Sequence, residues 1–239
     1  MKYMYIKTAA FIGFVILICF AAVKNARLEG ARTVFLSEAD RTPTIILDAG
    51  HGGEDGGALA PDGTAEKDIN LSVTLKTAAL FEVFGIKYIP VRTEDVSVGD
   101  NSLSTMRERK RSDIKNRENL VNNTENSIFF SIHQNKFDVA KYSGTQVFYG
   151  SLNGESEILA QCIQDSVKSR LQPQNTRQIK PSGDSIYLLY HAKVPAVMTE
   201  CGFLSNPEEL SLLKSDEYQK KMAYSIFSGL LNYLNNCKG

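Results

Sequence analysis

Two histidines and two glutamates stand where the chain passes between regular structure and loop, and their types suit metal chemistry. His51 and His133 each end a short apolar run, Glu200 ends a third, and Glu66 opens a helical stretch. Two neutral imidazoles and one carboxylate are a common ligand set for catalytic zinc, which keeps a fourth position for water. A second carboxylate, free of the metal, can take a proton from that water and return it to a leaving amine. These residues suggest a metal-dependent hydrolase.

The spacing of these residues leaves alternatives open. His51, Glu66 and His133 are far apart in the chain and do not form the HExxH pattern of a helical zinc site. A structural metal site, or the polar ends of buried strands, would use the same residue types. Asp48 and Asp55 compete with Glu66 as metal ligands, and Asp48 could instead orient His51 through a hydrogen bond.

Alternating apolar runs and helical stretches predict an α/β fold. Residues 44–47 form a continuous apolar run, typical of a strand covered on both faces. Five glycines between residues 50 and 57 then let the backbone approach a bound ion closely. A helix over 66–84 and a strand over 87–91 complete a βαβ unit. Further strands are predicted over 127–133, 144–149, 185–189 and 195–200, and further helices over 106–122, 155–171 and 215–236.

The composition excludes several other classes of function. The chain has 239 residues, 43% hydrophobic and 23% charged, which is enough for one sizeable α/β domain plus an appendage. Lysine plus arginine and aspartate plus glutamate both total 27, so no basic field points to nucleic acid. The four cysteines form no CxxC pair, which argues against a sulfur-ligated zinc site or a disulfide scaffold. Any substrate must therefore be recognised by a local site.

The N-terminus predicts export. Two lysines precede a charge-free apolar run over residues 8–23, and basic residues follow it. This pattern is typical of a secretion signal or an uncleaved membrane anchor, although the run is short for the ~20 residues of a spanning helix. Contact with a membrane is expected only through this segment. We divide the chain into a signal or anchor over 1–23, a polar linker over 24–42 and a catalytic domain over 43–239.

Several polar residues near the predicted site have two interpretations. The predicted helix over 106–122 carries four arginines, Arg107, Arg109, Arg111 and Arg117. They either hold an anionic substrate or form ion pairs on a solvated face, and the second interpretation is favoured. Arg92, at the end of a strand, either lies near the site and binds substrate or pairs with a carboxylate. Gln134 and Asn135 follow His133 directly, so they either hydrogen-bond substrate or cap the loop.

Two further residues are not favoured as site residues. His191 precedes the strand that ends in Glu200, so we expect it at the opposite end of the sheet from the ligands. Cys201 follows Glu200, but no histidine lies beside it in sequence to activate a thiol. A small buried residue is therefore the favoured interpretation of Cys201.

Four sequence segments together resemble a known family. They are DAGHGGEDGGA (48–58), EKDINL (66–71), SIHQN (131–135) and PAVMTECGFLSN (195–206). In this order they look like the motifs of the zinc-dependent N-acetylmuramoyl-L-alanine amidases, the Amidase_3 family. The stretch containing Ser112, Asp113 and Arg117 is most similar to the germination-specific spore-cortex amidases of the CwlD type. One departure is Ala49, where the family often carries proline, which affects loop stiffness more than ligation.

The resemblance implies a role for each residue of the cluster. It makes His51, Glu66 and His133 the ligands of one zinc ion per chain, and Glu200 the general base and acid. It implies one α/β domain with a mixed, mostly parallel sheet of about six strands flanked by helices, with the zinc site at the strand C-terminal ends. The implied reaction is hydrolysis of the amide between N-acetylmuramic acid and L-alanine of peptidoglycan stem peptides.

The resemblance to the spore-cortex amidases implies a cellular compartment and a biological process for the reaction. The stripped muramic acid is the precursor of the muramic δ-lactam of cortex, made between the two forespore membranes. Because three protein ligands are visible, we also expect a protein partner or the substrate to complete the site. Two rival functions stay open: a zinc peptidase acting within the stem peptide, and a catalytically silent peptidoglycan-binding protein.

Overall fold

A six-stranded sheet forms the centre of the protein. The computed structural model describes residues 42–237, so the predicted signal or anchor and almost all of the predicted linker lie outside the described residues. The strands are β1 Thr44–Ala49, β2 Tyr88–Pro90, β3 Ser127–Asn135, β4 Gln146–Tyr149, β5 Lys180–Pro181 and β6 Ala196–Phe203. They lie side by side in the order β2-β1-β3-β6-β4-β5.

Helices cover both faces of this sheet. In the described part of the chain they are α1 Glu66–Phe84, α2 Met106–Asn123, α3 Glu155–Arg170, α4 Tyr187–His191, α5 Pro207–Leu213 and α6 Asp216–Asn232. Apolar side chains of α1, α3 and α6 pack on one face, and those of α2 and α4 pack on the other. Within residues 42–237, none of these helices is both long and apolar enough to cross a bilayer.

The strand directions bring the predicted site residues to one edge of the sheet. Strands β2, β1, β3 and β6 run parallel, β4 is antiparallel to β6, and β5 is parallel to β4. The expected mixed, mostly parallel sheet of about six strands is thus confirmed. The register sets His133 opposite Glu200 and Asp48 opposite Ser131. Because neighbouring strands lie about 4.8 Å apart, these paired polar residues lie side by side.

The central strands are apolar because helices cover both of their faces. Ile45 and Leu47 belong to the core formed with α1, α3 and α6, whereas Ile46 belongs to the core formed with α2 and α4. All three side chains are fully buried, and each such burial contributes about 1.5–3 kcal/mol. The same alternation turns Asp48 toward the face that α2 and α4 cover.

The two helices that carry site residues have clear ends. Helix α1 begins at Glu66 and is ended by Gly85, which has the left-handed φ of 67°. Helix α2 begins with a capping box: the Thr105 hydroxyl accepts from the Glu108 N–H, and the Glu108 carboxylate accepts from the Thr105 N–H. Arg117 and Val121 are the buried residues of α2, so most of this helix is exposed, as predicted.

Several predicted elements differ from the structure. Strands β3 and β6 continue beyond His133 and Glu200, and β5 and α5 were not predicted. Residues 185–189, predicted as a strand, form a turn that leads into α4, where the Tyr190 N–H donates to the Ile186 carbonyl. A short apolar run does not distinguish a strand from a buried helix, and here Leu189 packs into the core beneath α2. The C-terminal α-helix ends at Asn232 rather than at residue 236, because the chain continues as a π-helical turn, Tyr233–Cys237.

Candidate metal centre

The loop after β1, the end of β3 and the start of α1 bring three candidate metal ligands together. One donor atom from each of His51, Glu66 and His133 lies within 4.8 Å of the other two. His51 Nε2 is 3.3 Å from Glu66 Oε2, and His133 Nδ1 is 2.9 Å from Glu66 Oε1. Two ligands that each lie about 2.0 Å from a tetrahedral zinc ion are about 3.3 Å apart, so these separations suit zinc.

The Glu66 carboxylate is held by donors on three sides. Its Oε2 accepts from the Ala58 N–H at 2.9 Å, and its Oε1 accepts from the Gln134 N–H at 3.1 Å. Asn70, one turn along α1, donates to Oε1 at 3.2 Å and to the Gly50 carbonyl at 3.2 Å. Outer contacts of this kind fix the orientation of a metal-binding carboxylate.

His51 is presented by a tight, glycine-rich loop. Its φ of 63° lies in the left-handed region, which costs a residue other than glycine about 1–3 kcal/mol. Two backbone hydrogen bonds between Gly52 and Asp55 close the loop, and Arg117 donates to the His51 carbonyl at 2.9 Å. His51 Nδ1 lies 2.9 Å from Asp55 Oδ2. Donation from Nδ1 to Asp55 leaves Nε2 free to face a metal.

Two glycines have no side chain where the candidate ligands lie, which makes room for them. A Cβ at Gly50 would collide with the His133 ring. A Cβ at Gly57, whose φ is 67°, would lie 2.6 Å from Glu66 Oε2 and 2.7 Å from His51 Cδ2. The loop is therefore shaped around the three converging side chains, which fits the binding of a small ion.

The charges of the candidate ligands depend on one another. Burial lowers the pKa of His51, but the hydrogen bonds and charges of Asp55 and Glu66 outweigh burial and raise this pKa to about 9. Burial raises the pKa of Glu66, but the hydrogen bonds with His133 and His51 outweigh it and hold this pKa well below its usual range. Without a metal, His51 therefore carries a proton at neutral pH, and a bound metal would displace it.

Glu200 lies beside the ligands in a different environment. It is the residue of β6 opposite His133. Its Oε2 is buried and has no hydrogen-bond partner in the described part of the chain. Burial is the main cause that raises the pKa of Glu200 to about 7, and the charge of Glu66 acts in the same direction. A buried carboxylate oxygen without a partner is costly, and such groups are typical of functional sites.

His51 and His133 of the cluster, together with Glu200, line one pocket of about 260 Å³. His51 and His133 form its floor together with Glu200, and Lys110, Ile114 and Tyr187 are among the residues of its walls. The walls come from α2 and from the segment around α4, which the sequence predicted as a strand. The pocket leaves room for a substrate group beside the candidate ligands.

The family assignment follows from comparison with known proteins. The model of the N-acetylmuramoyl-L-alanine amidase family, Amidase_3, matches residues 45–232. The chain belongs to this amidase family. A germination-specific N-acetylmuramoyl-L-alanine amidase from Bacillus subtilis (strain 168) is 36% identical over 189 residues, which cover 79% of this chain and 78% of the relative. The resemblance inferred from the four sequence motifs is therefore confirmed.

Solved structures of other amidases share the fold. The CwlD amidase from Clostridioides difficile, solved in complex with the GerS lipoprotein, is 44% identical, with a TM-score of 0.77 over 81% of this chain and 98% of that chain. An N-acetylmuramoyl-L-alanine amidase from Clostridium difficile 630 is 28% identical, with a TM-score of 0.71 over 83% of this chain and all of that chain. The single α/β domain predicted for this amidase is confirmed.

A buried ion-pair cluster lies behind His51 in the amidase. Arg117, only 3% exposed, donates to Asp48 and, at 2.6 Å, to Asp113. Asp48 also accepts from the Ser131 hydroxyl at 2.7 Å. The sequence left Asp48 as a possible metal ligand or a residue that orients His51, and it favoured ion pairs on a solvated face for Arg117. The ion pairs are present, but they are buried. Instead, buried Arg117 links Asp48 to the His51 carbonyl, because the end of α2 docks against the end of β1.

Arg92 holds main-chain segments of the amidase together. It is 3% exposed, and its guanidinium donates to the main-chain carbonyls of Ala49, Gly50, Lys67 and Glu94 at 2.8–3.1 Å. These contacts use four of the five guanidinium N–H donors, and Arg92 is not among the residues that line the pocket. Arg92 therefore braces the loop that carries His51, in contrast to the substrate contact that the sequence suggested.

The sequence analysis missed Asn70 and expected Arg117 on a solvated face. Asn70 lies four residues after Glu66 on α1, so the helical spacing could have revealed it as a partner of that carboxylate. Arg117 had no comparable signal, because its burial depends on how α2 docks. Gln134 is buried, and it supports Glu66 directly through its main-chain N–H and indirectly through its side chain, which donates to the Asn70 side chain at 3.1 Å. Substrate contact by Asn135, at the end of β3, stays a prediction.

His191 and Cys201 lie outside the candidate cluster. His191 is at the end of α4, where its Nδ1 is 3.0 Å from the Tyr187 carbonyl oxygen. Cys201 is a fully buried free thiol, and burial raises its pKa above the usual range. A thiol in this state is a poor nucleophile, which agrees with the packing role that the sequence favoured.

Proposed function

We propose that this protein is a zinc amidase that hydrolyses the bond between N-acetylmuramic acid and L-alanine of peptidoglycan stem peptides. The observation that carries the proposal is the convergence of His51, Glu66 and His133 at a pocket that the two histidines line together with the unpartnered Glu200 carboxylate. Family membership supplies the substrate class. The two imidazoles and one carboxylate, oriented by outer hydrogen bonds, support zinc as the metal.

The residues have distinct roles in the proposed reaction. A zinc ion bound by the three ligands supplies Lewis acidity, which lowers the pKa of water and polarises a carbonyl group. Glu200, as a carboxylate, takes a proton from the attacking water. It returns this proton to the alanine nitrogen as the carbon–nitrogen bond breaks. Asp55 and Asn70 keep His51 and Glu66 in the orientation that this requires.

The proposed setting is outside the cytoplasm, in the maturation of spore cortex. The predicted signal or anchor over 1–23, the linker over 24–42 and the catalytic domain over 43–239 support export. The germination-specific amidase of Bacillus subtilis is a relative over most of its length. In this setting, removal of the stem peptide prepares muramic acid for δ-lactam formation by a different enzyme, in the space between the forespore membranes.

A protein partner is a further part of the proposal. The CwlD amidase of Clostridioides difficile, to which the chain is 44% identical, was solved with the GerS lipoprotein. His51 sits in a strained loop conformation, so a partner that rigidifies the loop would strengthen metal binding. Metal analysis of the isolated monomer tests this point. Stoichiometric zinc in the pure monomer would argue against a required partner.

Two rival functions predict different products. A zinc peptidase would share the metal chemistry but cut between two amino acids of the stem peptide. A silent wall-binding protein would bind peptidoglycan without cleaving it, and the costly unpartnered carboxylate of Glu200 argues against this alternative.

Mass spectrometry of muropeptides separates the three functions. The zinc-loaded protein is incubated with purified muropeptides, with and without a candidate lipoprotein partner. The proposal predicts intact stem peptides with a free L-alanine amine and sugars with a free lactyl carboxyl group. Fragments cut inside the stem peptide would support the peptidase, and unchanged muropeptides in both reactions would support the silent protein.

A further inference from the structure

A basic groove runs along the exposed side of helix α2. It has a volume of about 700 Å³, and its lining includes Arg107, Lys110, Arg111 and Lys115. These residues recur at helical spacing, so they share one face of α2. Ile114 and Tyr187 add apolar surface to the same groove.

The basic groove opens into the metal-site pocket. Lys110, Ile114 and Tyr187 line both of them. The two spaces are therefore neighbours, with two of the candidate ligands in the metal-site pocket and Arg107 and Arg111 in the basic groove.

The cations of the basic groove differ in their partners. Lys110 is 3.0 Å from Asp55, and Lys115 is 2.7 Å from Glu118. Arg107 and Arg111 form no ion pair with any carboxylate of residues 42–237, and Arg109, on the neighbouring face, pairs with Glu54. Like charges one helical turn apart repel each other, so a cluster of this kind gains stability when an anion binds. Arg107 and Arg111 are the two cations available for that anion.

The distance along α2 suits a peptide. Arg117 contacts the His51 carbonyl, and at 1.5 Å per residue Arg111 and Arg107 lie roughly 9 Å and 15 Å farther along the helix axis. An extended peptide advances about 3.4 Å per residue. The groove therefore spans about three to four residues of a peptide that leaves the metal site.

We propose that Arg107 and Arg111 bind the free carboxylates of the stem peptide and so select the charge state of the substrate. This inference rests on the proposed function. A lactyl group that is amide-linked carries no charge, whereas a peptide that leaves the metal site carries at least its C-terminal carboxylate. Arginine forms paired, charge-assisted hydrogen bonds with carboxylates, and Ile114 and Tyr187 cover the aliphatic part of the peptide.

The test measures binding apart from hydrolysis. Full-length, zinc-loaded protein with Glu200→Ala is titrated with a muropeptide that has free stem-peptide carboxylates and with the same muropeptide after their amidation. Two double substitutions are each added to Glu200→Ala. Arg107→Ala/Arg111→Ala removes the proposed carboxylate site, and Lys220→Ala/Lys221→Ala, the control, removes two exposed charges of α6. We expect the first pair to raise the Kd for the free carboxylates about tenfold, and the second to leave it unchanged.

The amidated muropeptide separates recognition of charge from loss of structure. We expect Arg107→Ala/Arg111→Ala to change its Kd less than twofold. An unchanged Kd for the free carboxylates, or equal losses for both ligands, would overturn the inference. Hydrolysis by the wild type is scored separately, so intact binding without cleavage would contradict the proposed function while leaving the carboxylate site in place.

Discussion

Glu66 and Glu200 are two carboxylates close enough to influence each other's charge, yet they have opposite surroundings. The region around Glu66 supplies donors from the loop, from α1 and from β3, and the pKa of Glu66 is held below its usual range. The region around Glu200 leaves one oxygen buried without a partner in the described chain, and burial raises the pKa of Glu200 to about 7. Two glutamate side chains thus have the environments that suit two different tasks, metal ligation and proton transfer.

The difference shows that two residues of one type can have opposite local environments, and it supports the two roles proposed for them. A carboxylate that stays ionised and cannot rotate suits metal ligation. A carboxylate whose pKa lies near the working pH can accept and return a proton. The following variants test whether the two regions are as different as their hydrogen bonds indicate.

The largest effect is expected from removing the ligand carboxylate. In Glu66→Ala the two imidazoles lose the anion between them, so zinc content should fall to background and activity should fall by at least about 10³-fold. Metal analysis after gel filtration measures this. Glu209→Gln is the control, because Glu209 is a half-buried glutamate that accepts from two main-chain N–H groups away from the metal site. Equal zinc in Glu66→Ala and in the control would contradict the ligand role.

A smaller effect is expected from removing the outer support of Glu66. Asn70→Ala deletes the side chain that donates to both Glu66 and the Gly50 carbonyl, so zinc affinity should fall by about 10–100-fold. Competition with a chelator gives the affinity. Thr74→Val, one turn farther along α1 and equally buried, should leave the affinity unchanged. If both variants bind zinc as the wild type does, Asn70 has no part in holding the ligand.

Zinc binding should also depend on pH through His51. The pKa of His51 is raised from 6.5 to about 9, so below pH 9 the metal-free imidazole is protonated and zinc must displace that proton. Apparent affinity should therefore rise with pH, by up to about tenfold per unit, until about pH 9. Calorimetry in buffers of different ionisation enthalpy measures the released proton. Asp55→Asn removes the partner that raises this pKa and should reduce proton release at pH 8, whereas buffer-independent heats in the wild type would refute the assignment.

The smallest effect on activity is expected from a substitution of Cys201, the residue that follows Glu200. Cys201 points away from the pocket into the core beside α6, so Cys201→Ala should keep wild-type activity and cost about 1 kcal/mol of stability. Activity and the midpoint of denaturation measure the two effects. Loss of activity at full stability would instead point to the buried thiol as a nucleophile.

The sequence could predict the positions of those site residues that depend on a local pattern of apolar and polar residues. His51, His133 and Glu200 follow strongly apolar strands and Glu66 opens a helix that Gly85 ends, so their positions could be inferred. The burial of Arg117 could not, because α2 is charged over most of its length and only docking against β1 selects one arginine. The prediction of a strand over residues 185–189 was wrong for a related reason. A short apolar run fits a strand and a buried helix equally well.

The most direct test of the account is zinc content and activity measured together on Glu200→Gln. The substitution keeps the size of the side chain but removes its ability to take a proton. We expect full zinc content, unchanged stability or a small gain, and a loss of stem-peptide release of about 10²–10⁴-fold. Wild-type release by Glu200→Gln, or loss of zinc along with activity, would contradict the separation of ligand and proton carrier.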